Sequence, residues 1–267
     1  MNLRTIPIPE ENDATRIVSI LDDMIKLNEK ILLNNKLDKE QLGMLKPIDM
    51  MTYLFFERMN NHNRSFIKLA DENDNILISR SMFEGALFLA YATKNTDKKI
   101  AYRWKLSLYI QFMDEFEHPD FPPEFKVEID AVKTDLDNFF KRNGKYHNKW
   151  LDKNIHDIAQ DLDDSCKNMY KNYYKPMANF HHWDYESTIN NSEFNNKVDE
   201  ACISKLVNQL HAYLMVIFSN RLIGGLFLTL LVRNDIDSMD KMEKINERLD
   251  TISFIKTKHV TITSKHI

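Results

Sequence analysis

Arg80 and Glu84 stand one helical turn apart inside ILISRSMFEGALFLAYATKN, Ile76 to Asn95, an otherwise apolar run. The apolar positions cover so much of a helical wheel that the segment reads as a helix buried on most sides, and the two charges are expected to point inward and reach each other. Burying two ions costs several kcal/mol each unless they are paired and hydrogen-bonded, so the pair marks a structural polar network or the floor of a binding site. His181 and His182, followed by Trp183 and Asp184, supply imidazoles that titrate near neutral pH, and one of them can join Arg80 and Glu84 as a charged triad. Adjacent histidines diverge on a regular backbone and make a poor metal pair; no cofactor or metal is called for. Trp150, Tyr170, Tyr173 and Tyr174 form an aromatic group, the tyrosines at three- and four-residue spacing on one helix face, suited to core packing or to stacking a flat ligand. Arg221, in the middle of the most apolar run, is a candidate second counter-charge for Glu84.

The elements that must position these residues are helical. Only five glycines and seven prolines occur in 267 residues, and long segments rich in Leu, Ile, Lys, Glu and Asp carry apolar residues at helical spacing. The expected fold is all-α, an irregular bundle of about seven to nine helices forming one domain over residues 1–251, with residues 252–267 an extended or disordered tail that has no partner strand. Helices are expected at 15–33, 47–69, 76–95, 98–116, 124–141, 155–162, 164–178, 198–232 and 238–249, with Gly144 as the cap that ends the fifth. The run 212–232 has the length of a membrane span, but Ser219, Asn220 and Arg221 sit at its middle. An arginine at the bilayer centre costs about 2.5 to 3.5 kcal/mol, so a buried core helix is expected and no membrane partner. The net charge of −4 gives no global attraction to nucleic acid, although a local basic face is compatible with it. Cys166 and Cys202 lack metal spacing and, with no apolar leader at the start, lead to an expectation of a cytoplasmic protein with reduced thiols.

RNGKYH, Arg142 to His147, resembles the catalytic motif of the HEPN superfamily of metal-independent ribonucleases. That resemblance implies His147 moving a proton to or from a ribose hydroxyl while Arg142 stabilises charge on the phosphorane-like transition state, in a site completed across a homodimer. Separately, RSMFEGALFLAY with Arg80 and Glu84, Trp150 leading into KWLDKNIHDIA, then Tyr170 and Tyr174 and a histidine, are together similar to an uncharacterised bacterial family called domain of unknown function 5677. The similarity covers about residues 76–184, with Ala178 near the position where the family carries a serine, and implies an all-helical fold related to HEPN bundles. Two functions follow as expectations. One is a HEPN-like ribonuclease or toxin-type defence effector acting on RNA through Arg142, His147, His181 and His182. The other is a non-catalytic helical module that binds a partner protein, such as one from the same operon, or a small ligand around Arg80, Glu84, Trp150, Tyr170, Tyr174 and Arg221.

Overall fold

The computed structural model describes residues 2–9, 11–69, 75–116, 118–177, 198–252 and 254–261, with side chains over 15–69, 75–116, 118–177 and 209–252. Ten helices among the described residues confirm the all-α class. These are α1 (Glu11–Asn34), α2 (Lys39–Met44), α3 (Pro47–Lys68), α4 (Asn75–Lys94), α5 (Ile100–Ile110), α6 (Pro123–Phe140), α7 (Ile155–Asp161), α8 (Asp164–Met169), α9 (Val198–Leu231) and α10 (Ile236–Asp250). The helix absent from the sequence expectation is α2. Its signal is the capping box at Asp38 and Gln41, in which each side chain bonds the other's backbone N–H; none of its six residues is fully buried, and Leu42 packs half-buried against the main core.

The longest and most apolar helix, α9, is the axis of the bundle and packs against α1, α3 and α4, with α10 closing over α1. Its stretch Gln209–Leu231 is long and apolar enough to cross a membrane, yet most of it is buried among the other helices. A polar zipper fixes the register of three helices at their centre. Asn28 of α1 and Asn63 of α3 both donate to Asn220 Oδ1 of α9 at 2.8 Å, Asn220 donates back to Asn63 at 2.8 Å, and all three are fully buried. Gly224 makes room for it, because a Cβ there would stand 3.0 Å from Asn28 Oδ1 and 3.2 Å from Met242 Cε.

A second, smaller core of Leu106, Ile110, Phe116, Ile129, Leu136 and Phe140 lies between α5 and α6, and Trp150 packs against both cores. Beyond α6 the structure differs from the expected helix cap. Gly144 does not close a helix: α6 stops at Phe140, and β2 (Lys141–Arg142) pairs with β3 (Lys145–Tyr146) through Asn143 (φ 51°) and Gly144 (φ 77°). Two consecutive positive φ values are what a two-residue hairpin turn of the Asn-Gly kind requires. The tail also gains a partner. β4 (Phe254–Thr261) runs antiparallel to β1 (Asn2–Pro9), Asn2 opposite Thr261 and Pro9 opposite Phe254. A two-stranded ribbon is all edge, so Pro7 and Pro9, which have no N–H to give, are tolerated in it.

Candidate functional site

Three side chains from two helices meet at the face of α4. Tyr174 belongs to a π-helical segment, Tyr170–Tyr174, that continues α8 into a last turn, Lys175–Met177. Its hydroxyl donates to Glu84 Oε1 at 2.5 Å and accepts from Arg80 Nη2 at 3.3 Å, while Arg80 and Glu84 approach each other only to 4.0 Å. The tyrosine is thus inserted between the two charges. Arg80 also lies over the same ring, its Cζ 5.0 Å from the centroid. Burial pushes the Tyr174 phenol up to about 12, the bond to Glu84 adding to the rise and Arg80 opposing it. The phenol therefore stays protonated and acts as a donor. Arg80 Nε is buried with no hydrogen-bond partner among the described residues.

The expected inward burial of the pair is only partial: the Arg80 side chain is 19% exposed and that of Glu84 36%. The reason is position. α4 packs one face on α9 and another on α3, and the strip carrying residues 80 and 84 lies at its edge, where the π-helical segment covers it. π turns inside α-helices are frequently found at functional sites. Here the segment sets Tyr170 on Tyr174, centroids 5.3 Å apart and planes 25° apart, with exposed His156 of α7 capping the stack at 5.1 Å. Tyr174 packs in turn on Phe83, which touches Phe218 of α9.

Glu84 faces two ways. Besides meeting Tyr174 it lines a cavity of about 200 Å³ between α3 and α4, walled by Phe55, Met59, Met82, Phe88 and Ile223 and edged by Arg58, His62 and Ser81. Gly85 lies in this wall, and a Cβ built there meets nothing nearer than Phe55 Cδ2 at 4.0 Å, so the missing side chain keeps the cavity open. Arg58 Nε donates to His62 Nε2 at 3.3 Å, and Ser81 Oγ lies 3.5 Å from the same nitrogen. Burial, and then the Arg58 charge, lower the His62 pKa below its ordinary 6.5, so the imidazole is neutral at physiological pH. The cavity rim offers a carboxylate, a hydroxyl and a neutral imidazole above an aromatic and thioether floor, a set that suits an amphipathic group with hydrogen-bond donors at its head. No group of three or more His, Cys, Asp or Glu that could hold a metal occurs among the described residues.

Of the residues singled out by sequence, Arg80, Glu84, Tyr170 and Tyr174 come together in this site. Trp150 is half-buried 5.3 Å from Phe88, on the far side of the cavity wall, and Tyr173 is buried edge-on to His211. Arg221 requires correction as a counter-charge for Glu84: it is exposed and pairs with Asp250 of α10 at 3.4 Å, because α9 reaches solvent beside α10 at this position although Leu214 to Ile217, Ser219 and Asn220 before it are buried. Arg142 and His147 sit on the exposed β2–β3 hairpin and its exit; Arg142 donates to Asp152 at 2.6 Å, and the His147 backbone N–H donates to Phe140 O at 3.0 Å. His181 and His182 lie outside the described residues. Sequence reading passed over Arg58, His62, Ser81 and His156. The signal for the first two was their four-residue spacing on α3, and Ser81 sits beside Arg80 itself.

The fold and site define a helical protein built around an Arg–Tyr–Glu clamp that borders an amphipathic cavity. The chain belongs to the family of unknown function DUF5677, whose profile matches residues 49–200. That range holds the whole clamp and every cavity residue except Ile223, while α1 and α10 lie outside it. No curated protein and no solved structure matches the chain.

Proposed function

We propose that this protein is a non-catalytic helical binding module that takes a small amphipathic ligand in the cavity between α3 and α4, with Glu84 as the residue that receives its polar head. The observation that carries this reading is the double role of Glu84, whose Oε1 is fixed by the Tyr174 hydroxyl while the residue lines the cavity beside Ser81 and His62. A carboxylate held by a buried phenol is pre-organised, so little ordering is lost when a ligand arrives. At about 200 Å³ the cavity is smaller than the usual small-molecule site, which fits a single ring or branched chain with one polar group.

The rival reading is a HEPN-like metal-independent ribonuclease. Its support is the placement of Arg142 and His147 on one short hairpin, but Arg142 is engaged by Asp152 and both residues are exposed, away from the convergence at Glu84. The two readings separate in one pair of assays. Thermal melting with benzylamine, whose head donates hydrogen bonds, and with anisole, whose head does not, should show stabilisation by benzylamine in the wild type and none in Gly85→Leu, where the new side chain fills the cavity. Incubation with mixed cellular RNA in chelator should leave the RNA intact. Cleavage by the wild type that His147→Ala abolishes, together with no response to benzylamine, would overturn the binding-module reading in favour of the ribonuclease.

A further inference from the structure

The chain carries a formal charge of −4, but the segment Lys141 to Lys153, KRNGKYHNKWLDK, holds five cations against Asp152, a net of +4 with His147 neutral. From Lys141 to Lys149 every side chain except that of Tyr146 is exposed. Neighbouring elements reduce the excess only a little. Asp137 of α6 faces Lys141 at 3.5 Å, Asp161 of α7 pairs with Lys153, and Arg103 of α5 adds a further cation at Asp152, which leaves +3 in the cluster. Lys145 and Lys149 make no ion pair among the described residues, although acids are plentiful elsewhere on the chain.

The backbone that carries the cations is also held in place. The Asn143–Gly144 turn fixes the two strands, Asp152 ties Arg142 at 2.6 Å and Arg103 at 3.3 Å, and the Tyr146 hydroxyl is bonded to Asp137. A strip of positive charge on a hairpin backbone that is already formed loses little backbone freedom when it meets a polyanion. The aromatic residues of the strip face inward, Tyr146 to Asp137 and Trp150 to Phe88, so no exposed apolar side chain is left to anchor in a lipid surface. We propose that the β2–β3 hairpin and the loop that follows it bind the phosphodiester backbone of a nucleic acid, without reading its sequence. The inference stands on charge and exposure and does not depend on the ligand cavity, none of whose lining residues belongs to the strip.

The test is fluorescence anisotropy of the full chain with short labelled single-stranded RNA, DNA of the same sequence and an RNA duplex, alongside flotation with vesicles of phosphatidylserine and phosphatidylcholine. Lys145→Glu/Lys149→Glu is compared with Lys36→Glu/Lys39→Glu, an equal charge change made at exposed lysines outside the strip. With about four phosphate contacts to a single strand, affinity should fall about 50-fold between roughly 50 and 200 mM salt. The hairpin variant should lose at least about tenfold in affinity at the lower salt and about half of the salt slope, while the control changes it less than about threefold. The RNA, DNA and duplex arms tell which backbone is preferred. No binding at low salt, equal losses in the two variants, or binding to vesicles alone would overturn the proposal.

Discussion

Removing one oxygen tests how the clamp is built. Tyr174→Phe keeps the ring, its stack on Tyr170 and its packing on Phe83, and deletes only the hydroxyl that donates to Glu84 at 2.5 Å and accepts from Arg80 at 3.3 Å. A hydrogen bond to a charged group contributes about 1.5 to 3 kcal/mol. Glu84 is 36% exposed, so water reaches the freed carboxylate and the Arg80–Glu84 gap of 4.0 Å can close; a loss of about 1 to 2 kcal/mol is expected. For a chain of this size that lowers the melting temperature by about 2 to 8 °C. Tyr174→Ala also removes the packed ring and should cost about 3 to 5 kcal/mol. A double-mutant cycle of Tyr174→Phe with Glu84→Gln, read by urea denaturation, should give a coupling of about 1 kcal/mol. The pH dependence has a definite sign. The Tyr174 pKa is raised from 10.0 to about 12 in the fold, so its contribution is complete below pH 10 and is lost as pH rises from 10 to 12. Tyr102, Tyr146 and Tyr173 share this elevation, so Tyr174→Phe should lessen the alkaline loss of stability without abolishing it. A Tyr174→Phe protein as stable as wild type with no coupling to Glu84, or one as damaged as Tyr174→Ala, would refute the clamp.

Three further outcomes are expected. Asn220→Ala strips partners from both Asn28 and Asn63, which are fully buried, and should cost about 3 kcal/mol or more by urea denaturation; a loss under about 1 kcal/mol would show that the zipper adds nothing. Burial, with Asp163 beside it, pushes the Cys166 thiol up to about 12, so in a Cys202→Ser background an aromatic disulfide reagent at neutral pH should react only as fast as the protein unfolds. Labelling of Cys166 at the rate of a free thiol would contradict that burial. The lowered His62 pKa means that the fold prefers neutral imidazole; stability should decline as pH falls below 6.5, and His62→Gln should flatten that decline in pH-dependent melting curves.

The long helices were legible in sequence because their stabilisation is periodic: apolar residues recur at helical spacing in α1, α3, α5 and α6, and the helix expected from Pro47 begins there, whereas α2 carries no such pattern. Arg80 and Glu84 stood out because charge inside an apolar run is rare, and Tyr170 and Tyr174 because their spacing places them on one face. What sequence could not give was the third dimension of the site. Tyr174 reaches Glu84 across 90 residues of chain, and nothing local says that its hydroxyl falls between the two charges. His62 and Ser81 form the cavity rim only once α3 and α4 lie side by side, and neither is unusual in its own helix. The ribbon of β1 and β4 was hidden for the same reason, its strands lying at opposite ends of the chain. Gly144 was ambiguous by nature, since the left-handed backbone it favours closes a helix or turns a hairpin equally well. The preceding Asn143 was the clue to the hairpin.

The binding account turns on whether the cavity beside Glu84 takes a polar-headed ligand. The most direct measurement is a ¹H–¹⁵N spectrum of the wild type titrated with benzylamine, repeated on Glu84→Gln and Gly85→Leu. Leucine forms helix better than glycine by several tenths of a kcal/mol to about 1 kcal/mol, so the Gly85→Leu protein stays folded while its cavity is closed. Saturating shifts centred on the amides of Ser81, Gly85 and Phe88 are expected in the wild type, much weaker ones in Glu84→Gln and none in Gly85→Leu. Shifts of equal size in all three proteins, or shifts located away from α3 and α4, would contradict it.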